Sequence, residues 1–541
     1  MAVTPVVLAL SRSGEELAGR VSRAFGWPLH GREGRVREAD AFFPDALAHA
    51  RDLFAAGHPI IGVCASGILI RAAAPLLADK KQEPPVISVA DDGSVVVPLL
   101  GGHRGANRLA RDIAHLLDAK AAVTTAGDIS LGVALDEPPL GWRLANPGAA
   151  KAAMAALLAG EGARFLGEVP EWLSGLPEGS GVSIATGLSP VPGDALHFAP
   201  QRVALGVGCA RDCPPGELEA LVSAELAAAG LSPHAVHSIN TINLKADEPA
   251  ILALSETLGA PLRLFSSEDL AEMADSVPNP SDIVAAEVGT PSVSEASALM
   301  QSPALTLVRP KSKSKHATCA IAVAPAPLVE TKGRPRGKLS IVGIGPGQAS
   351  WRTPEASKLI AEAEELVGYG LYIDLLGPLA AGKPRSDFPL GGEEARCRYA
   401  LERAGEGRNV ALICSGDAGI YAMGALVFEL LGRESFGVSD QARRAEIVCA
   451  PGVSALQGAA ARAGAPLGHD FCAISLSDLL TPRDDILRRI RAAAEGDFVI
   501  AFYNPVSKRR RTLLAEAREI LLKHRPAETP VMLASSLGRP E

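Results

Sequence analysis

Residues 338–347 read Lys-Leu-Ser-Ile-Val-Gly-Ile-Gly-Pro-Gly, an apolar run, Leu339–Gly343, that ends in a glycine-rich turn. Six residues further on, Thr353-Pro354 supplies a helix cap and a first-turn proline. Strand, glycine turn, helix is the opening of a parallel α/β unit. A dinucleotide fingerprint would need glycine at 348, where this chain has Gln348, and Pro346 has no N–H to offer a phosphate. The turn is therefore not a phosphate cradle. Its glycines allow backbone to come close to a flat ligand, and the proline stiffens the approach.

The same rhythm recurs downstream. Val410–Cys414 precedes Ser-Gly-Asp-Ala-Gly-Ile-Tyr-Ala-Met (415–423), Glu446–Ala450 precedes Pro-Gly-Val-Ser (451–454), and Asp497–Ala501 precedes Phe-Tyr-Asn-Pro (502–505). Singly these are a helix cap, a turn and a strand stop. Together they are loops at the carboxyl ends of parallel strands, where open α/β sheets bind ligands.

Upstream, residues 325–337 (PAPLVETKGRPRG) carry three prolines and no apolar period, and read as a linker. Residues 201–324 form another α/β unit, with a strand at Val203–Val207, a helix from Pro214 to Ala229 and a last strand near Ala317–Ala324. Residues 132–200 are a Gly- and Pro-rich small domain with one clear helix, Gly148–Leu158. In 1–131, strands Val6–Leu10, Pro59–Val63, Val86–Val89 and Ala121–Thr125 alternate with helices Gly14–Ala24, Asp45–Ala56, Ile68–Leu77 and Gly105–Leu117. This βαβ order predicts a parallel sheet covered on both faces. The expected class is α/β and multidomain, with the last unit spanning 338–541.

Composition narrows the function. Of 541 residues, 47% are hydrophobic and 21% charged, enough for packed cores rather than disorder. Aromatic residues are only 4% and the net charge is −8, against a nucleic-acid partner. No run is apolar for long enough to span a membrane, and Ala2–Leu10 lacks the basic start of a signal peptide. Of eight cysteines only Cys209 and Cys213 are close, a weak metal signal, so reduced thiols of a cytoplasmic protein and no metal site are expected.

VGIGPG, SGDAGIYAMGALVFELL, CAPGVSALQGAAARAGAPLGHDFCAISLSDLLTP and FYNPVSKRR together resemble the tetrapyrrole methyltransferase family. Within it, Ala418 after SGD and the run VGYGLYIDLL (367–376) resemble the precorrin-3B C17-methyltransferases. The resemblance implies a two-lobed class III fold, a homodimer, and S-adenosyl-L-methionine as cofactor. Residue by residue it places Gly345, Pro346, Gly347, Gly416, Asp417, Ile420, Tyr421, Met423, Ser454, Tyr503 and Asn504 at the cofactor, and Tyr369 at the macrocycle. Asp417 is implied to accept hydrogen bonds from the cofactor. The chain stops at Gly538–Glu541, where family members continue, so a truncated second lobe is expected.

The first 324 residues resemble the cobalt-precorrin-5A hydrolases, through ASGILIRAAAPLLADK, PLLGGHRGANRLARDIA, TTAGD, GVGCARDC, INLKADEPAILAL and SVSEASAL. That implies opening of a lactone on a precorrin or cobalt-precorrin macrocycle and loss of a two-carbon fragment. His103, Arg71 and Glu248 are the candidate catalytic residues; Ser66, Arg104, Asn107 and Lys245 are candidates for substrate, with Lys80 a further cation. A Ser66–His103–Asp128 triad is conceivable by residue type, although no nucleophile elbow surrounds Ser66. A non-catalytic tetrapyrrole carrier in this half, or methylation of another tetrapyrrole carbon by the other, remain open alternatives. Two basic runs, 309–338 and Lys508–Arg511, read as solvated faces or as steering for a polycarboxylate.

Overall fold

The computed structural model describes residues 3–80, 82–191, 193–434, 437–479, 481–506 and 512–539. The Lys508–Arg511 run lies outside the described residues, as does the side chain of Asp128. Among the described residues the strands form sheets of seven, four, five and five strands and a two-stranded ribbon.

In the first sheet the strand order is Ala41–Phe43, Leu29–Arg32, Val6–Ala9, Ile60–Val63, Val86–Val89, Val95–Leu100 and Lys120–Ala121. The expected all-parallel sheet is thus mixed. Val95–Leu100 turns back from Val86–Val89 as an antiparallel partner, with Val86 opposite Leu100. The strand expected over Ala121–Thr125 shrinks to Lys120–Ala121, because the chain there has reached the sheet edge. The helix before Gly26 starts where the Ser11 hydroxyl accepts from the Gly14 amide, and stops at Gly26 with φ 69°.

The weakly patterned stretch after residue 132 forms a small four-stranded sheet, with helix Ala150–Leu158 and Phe198 in its core. The third sheet runs Leu262–Phe265, Val236–Ile242, Val203–Cys209, Ala317–Val323 and Thr306–Lys313. Helix Ser294–Leu299 lies so close on Val203–Cys209 that only glycine fits at 206: a Cβ there would sit 1.8 Å from the Ser294 carbonyl oxygen and 2.6 Å from the Ala298 nitrogen. Gly206→Ala is expected to cost about 3 kcal/mol or more, since two backbone segments must part. A urea midpoint equal to that of wild type would contradict this.

The linker does not hang free. The Leu328 amide donates to Gln201 O at 2.9 Å, Lys332 N to Gln301 Oε1 at 2.8 Å, and Arg334 pairs by backbone with Leu264. The basic run is likewise engaged. Arg309 binds Glu225 at 2.7 Å, Arg334 holds the Gly405 carbonyl and Arg336 the Arg444 carbonyl. These cations tie segments together, and this reduces what remains for steering a ligand.

The fourth sheet is all parallel, in the order Arg385–Phe388, Glu365–Tyr369, Asn409–Cys414, Lys338–Gly343 and Glu446–Ala450. Phe471–Ser475 and Val499–Tyr503 form the parallel ribbon of a second lobe, under helices Arg483–Glu495 and Leu513–Leu521. The first and fourth sheets share one core. Phe43, Leu53, Phe54 and Ile60 pack in the same cluster as Ile344, Leu359, Ile360 and Leu379. Its polar member is a triplet of buried histidines, His30, His49 and His58.

Candidate active site

Strand Lys338–Gly343 lies between Asn409–Cys414 and Glu446–Ala450, so the loops after all three strands emerge side by side. Glycine decides how close they come. A Cβ on Gly343 would meet Gly416 O and Gly452 N at 2.8 Å, and one on Gly452 would meet Gly416 O at 2.2 Å. The Gly345 amide donates to Gly416 O at 3.1 Å, and the Gly416 amide returns to Gly345 O at 2.8 Å. At Gly343 and Gly452 the close approach is therefore backbone to backbone, where the sequence pointed to backbone against ligand.

The cleft so formed holds about 200 Å³ and is walled by Pro346, Ser415, Gly416, Asp417, Ile420, Ser454 and Tyr503, with Arg539. Gly345 (φ 75°) and Gly347 shape its floor turn. The carboxylate of Asp417 is committed to the loops: Oδ1 accepts from Gly419 N at 2.8 Å and Oδ2 from Gly452 N at 3.1 Å. Ser454 caps helix Ala455–Ala463, accepting from Gln457 N while Gln457 returns to the Ser454 amide.

The two tyrosines staple the lobes together. Tyr421, in the left-handed region at φ 50°, donates its hydroxyl to Ala473 O at 2.8 Å and accepts from Ser475 N at 3.2 Å. Tyr503 accepts from Leu456 N at 3.0 Å, and the two rings stand 5.0 Å apart. Asn504 donates to Ser475 Oγ at 3.3 Å. Met423 is not on the cleft wall. It is buried in the first-lobe core, its sulfur 3.2 Å from Arg396 Nη1. Tyr369 stacks edge-on with Tyr372 at 5.2 Å. Sequence reasoning missed Arg539, whose Nε donates to Pro346 O and Nη2 to Ser415 Oγ, both at 3.1 Å, with Tyr372 beneath at 5.9 Å.

The candidates in the first 324 residues fall at three places. Ser66 begins the helix after Ile60–Val63, and Arg71 on that helix donates back to Gly67 O at 3.0 Å. His103 and Arg104 follow Leu100, which pairs with Val86 at the opposite, amino-terminal end of the parallel strands. A Ser66–His103 pairing is therefore excluded, because the antiparallel return of Val95–Leu100 carries His103 away from the carboxyl ends. His103 Nδ1 instead lies 2.7 Å from Asp136 Oδ2, a partner the sequence did not suggest. Arg104 donates to Gln82 O and Asn107 to Thr125 Oγ1, each at 2.7 Å; Lys80 is exposed. In the third sheet, the almost fully buried Glu248 accepts from Lys245 at 3.0 Å and Arg211 at 3.1 Å. Arg211 also meets Asp247, which Arg444 of the last unit holds at 2.8 Å. Arg444 also binds Asp440 at 2.9 Å, so three cations meet three carboxylates in a network that joins two units.

Two α/β lobes stapled by tyrosines around a glycine-built cleft at strand ends define the last unit as a small-molecule enzyme module. Residues 338–541 match the family of tetrapyrrole (corrin/porphyrin) methylases, and residues 48–128 and 203–322 match the cobalamin synthesis G N-terminal and C-terminal families. The chain is 45% identical over 205 residues to a precorrin-3B C(17)-methyltransferase of Sinorhizobium sp, covering 38% of this chain and 79% of that protein. It is 46% identical over 201 residues to a probable cobalt-factor III C(17)-methyltransferase of Salmonella typhimurium, covering 37% and 80%. Among solved structures, the methyltransferase CobJ is 42% identical over 35% of this chain and 76% of that one, with a TM-score of 0.33. The chain belongs to the tetrapyrrole methylases, with cobalamin synthesis G regions fused ahead of the methylase unit.

Proposed function

We propose that the methylase unit transfers a methyl group from S-adenosylmethionine to C17 of precorrin-3B or cobalt-factor III, and that the fused N-terminal half opens the lactone of cobalt-precorrin-5A. The observation that carries the first part is the three-loop cleft, set in a chain that is similar to C17-methyltransferases over most of their length. The cofactor supplies an electrophilic methyl group on a sulfonium.

The wall chemistry of the cleft suits a cation. Its wall already holds one, the Arg539 guanidinium, on the Pro346 carbonyl and Ser415 hydroxyl, with the Asp417 carboxylate among the lining residues. In this reading Pro346 and Ile420 flank the flat part of the cofactor and Ser415 takes a polar contact. Tyr421 and Tyr503 fix the second lobe so that donor and acceptor carbon stay aligned, which is the main protein contribution to an in-line displacement.

Mass spectrometry of products formed from precorrin-3B and from cobalt-factor III with methyl-labelled cofactor tests this. One labelled methyl on either macrocycle is expected; label on neither would overturn the reading.

A further inference from the structure

We infer that His103 and Asp136 form a general-base dyad that hydrolyses a carboxylic ester, and that Asp136 is its positioning residue. This rests on the reading of the N-terminal half as a lactone-opening module, and adds to it a base, an orienting group and the class of bond broken.

His103 sits on a loop that cannot drift. Gly101 and Gly105 on either side are left-handed, at φ 77° and 94°, and a Cβ on Gly101 would lie 2.6 Å from the Pro85 backbone. Asp136 comes from the segment joining the first and second sheets. Its neighbour Leu135 is wholly buried in the second core, and Glu137 on its other side pairs with Arg108 at 2.9 Å. Asp136 is thus held in place from both flanks.

A carboxylate only accepts hydrogen bonds, so His103 Nδ1 carries a proton, and in the neutral imidazole it is Nε2 that offers a lone pair. The imidazole is 40% exposed, leaving that lone pair open to water. Among the described residues the other histidine–carboxylate pair, His316–Glu217, differs. Its carboxylate also accepts from Ser314 Oγ and the His316 amide, as a turn brace does. An exposed hydrogen-bonded pair such as His103–Asp136 adds at most about 1 kcal/mol to stability, so holding its geometry from both flanks points to chemistry rather than folding. Arg104, the adjacent residue, is exposed with its arm fixed on Gln82 O, a cation placed for a carboxylate of the substrate.

In the step, His103 Nε2 takes a proton from water while the water oxygen bonds to the ester carbonyl carbon. The bond between that carbon and the ring ester oxygen then breaks, and the imidazolium returns its proton to the departing oxygen. One water is consumed, giving a hydroxy acid, with no redox partner.

The full-length chain should be assayed with cobalt-precorrin-5A and, separately, with 4-nitrophenyl acetate, with methyl transfer by the same preparations as the folding control. His103→Ala should lower kcat by about 100- to 1000-fold, with partial rescue by added imidazole. Asp136→Asn should lower kcat by about 10- to 100-fold at unchanged KM, and Asp136→Glu should recover part of it. Methyl transfer should be untouched throughout. If wild type opens the lactone and either His103→Ala or Asp136→Asn does so equally fast, the dyad is wrong and the lactone reading stands. Inertness toward the lactone with His103-dependent cleavage of the aryl ester keeps the dyad and removes the lactone reading. Inertness toward both overturns the two together.

Discussion

Unfolding followed from about pH 7 down to about pH 4.5 is expected to show stability falling steeply, with the loss starting near the ordinary histidine pKa. The cause is the buried triplet between the first sheet and the methylase unit. His30 Nδ1 and His49 Nε2 share a hydrogen bond of 2.9 Å, His49 stacks on Phe43 at 4.4 Å, and His58 Nδ1 donates to Thr4 O at 2.9 Å. Among the described residues the Nε2 atoms of His30 and His58 have no partner, and both side chains line a small cavity closed by Pro378–Lys383 of the methylase unit. Burial, then the neighbouring histidines, push His30 down to about 3; burial and His58 push His49 to about 4. Burial also brings His58 to about 4, the Thr4 carbonyl opposing and Lys383 adding to the shift.

The folded pKa values lie below the unfolded value of 6.5, so between about 6.5 and 4 the unfolded chain binds more protons. Stability is full above that window and falls within it as pH drops. Each histidine contributes about 1.4 kcal/mol per pH unit. The sum is less than threefold, because the groups share one site. Glu217, held near 2 by Ser314 and His316, acts mainly below the ordinary glutamate value of 4.5, so it touches only the acid end of this window. His58→Gln should flatten the slope, and a wild-type curve level across the window would sink the account. Because the same core includes Ile344 and Leu379, acid should also loosen the contact between the two enzyme units.

The parts legible in the sequence are those whose cause is local. Gly343, Thr353-Pro354 and the Ser415–Asp417 turn announce themselves because a strand end, a cap and a left-handed turn each restrict residue type within a few positions. Val95–Leu100 escaped because Pro98 interrupts its pattern and its pairing is antiparallel. That one reversal moved His103 to the other end of the strands and dissolved the suggested triad. Asp136 stands 33 residues from His103 and carries no local mark. The family resemblance pointed to Tyr421 and Tyr503; that they spend their hydroxyls across the lobe boundary depends on tertiary placement of Ala473 and Leu456. Met423 shows the converse, a motif residue whose neighbours make it core.

Asp417→Ala is expected to reduce methyl transfer by about 100-fold or more, through geometry rather than lost contact alone. Among the described residues the carboxylate is the one side chain bonded to both the 415–419 loop and the 451–454 loop, through Gly419 N and Gly452 N. Removing it strands two amides, and hydrogen bonds to a charged acceptor are worth about 1.5–3 kcal/mol each. The three loops are held apart only by bare glycine backbone, so a shift at Gly452 passes directly to Gly343 and Gly416. With them move Pro346 and Ser454, two walls of the cleft. Asp417→Asn, which keeps one accepting oxygen, should fall between wild type and alanine. Calorimetric titration with the cofactor should show the loss as weakened binding. Lactone opening by the same chain should be unchanged, since Asp417 lies in another unit. Wild-type cofactor affinity and methyl transfer in Asp417→Ala would mean that the loops hold their spacing without the brace.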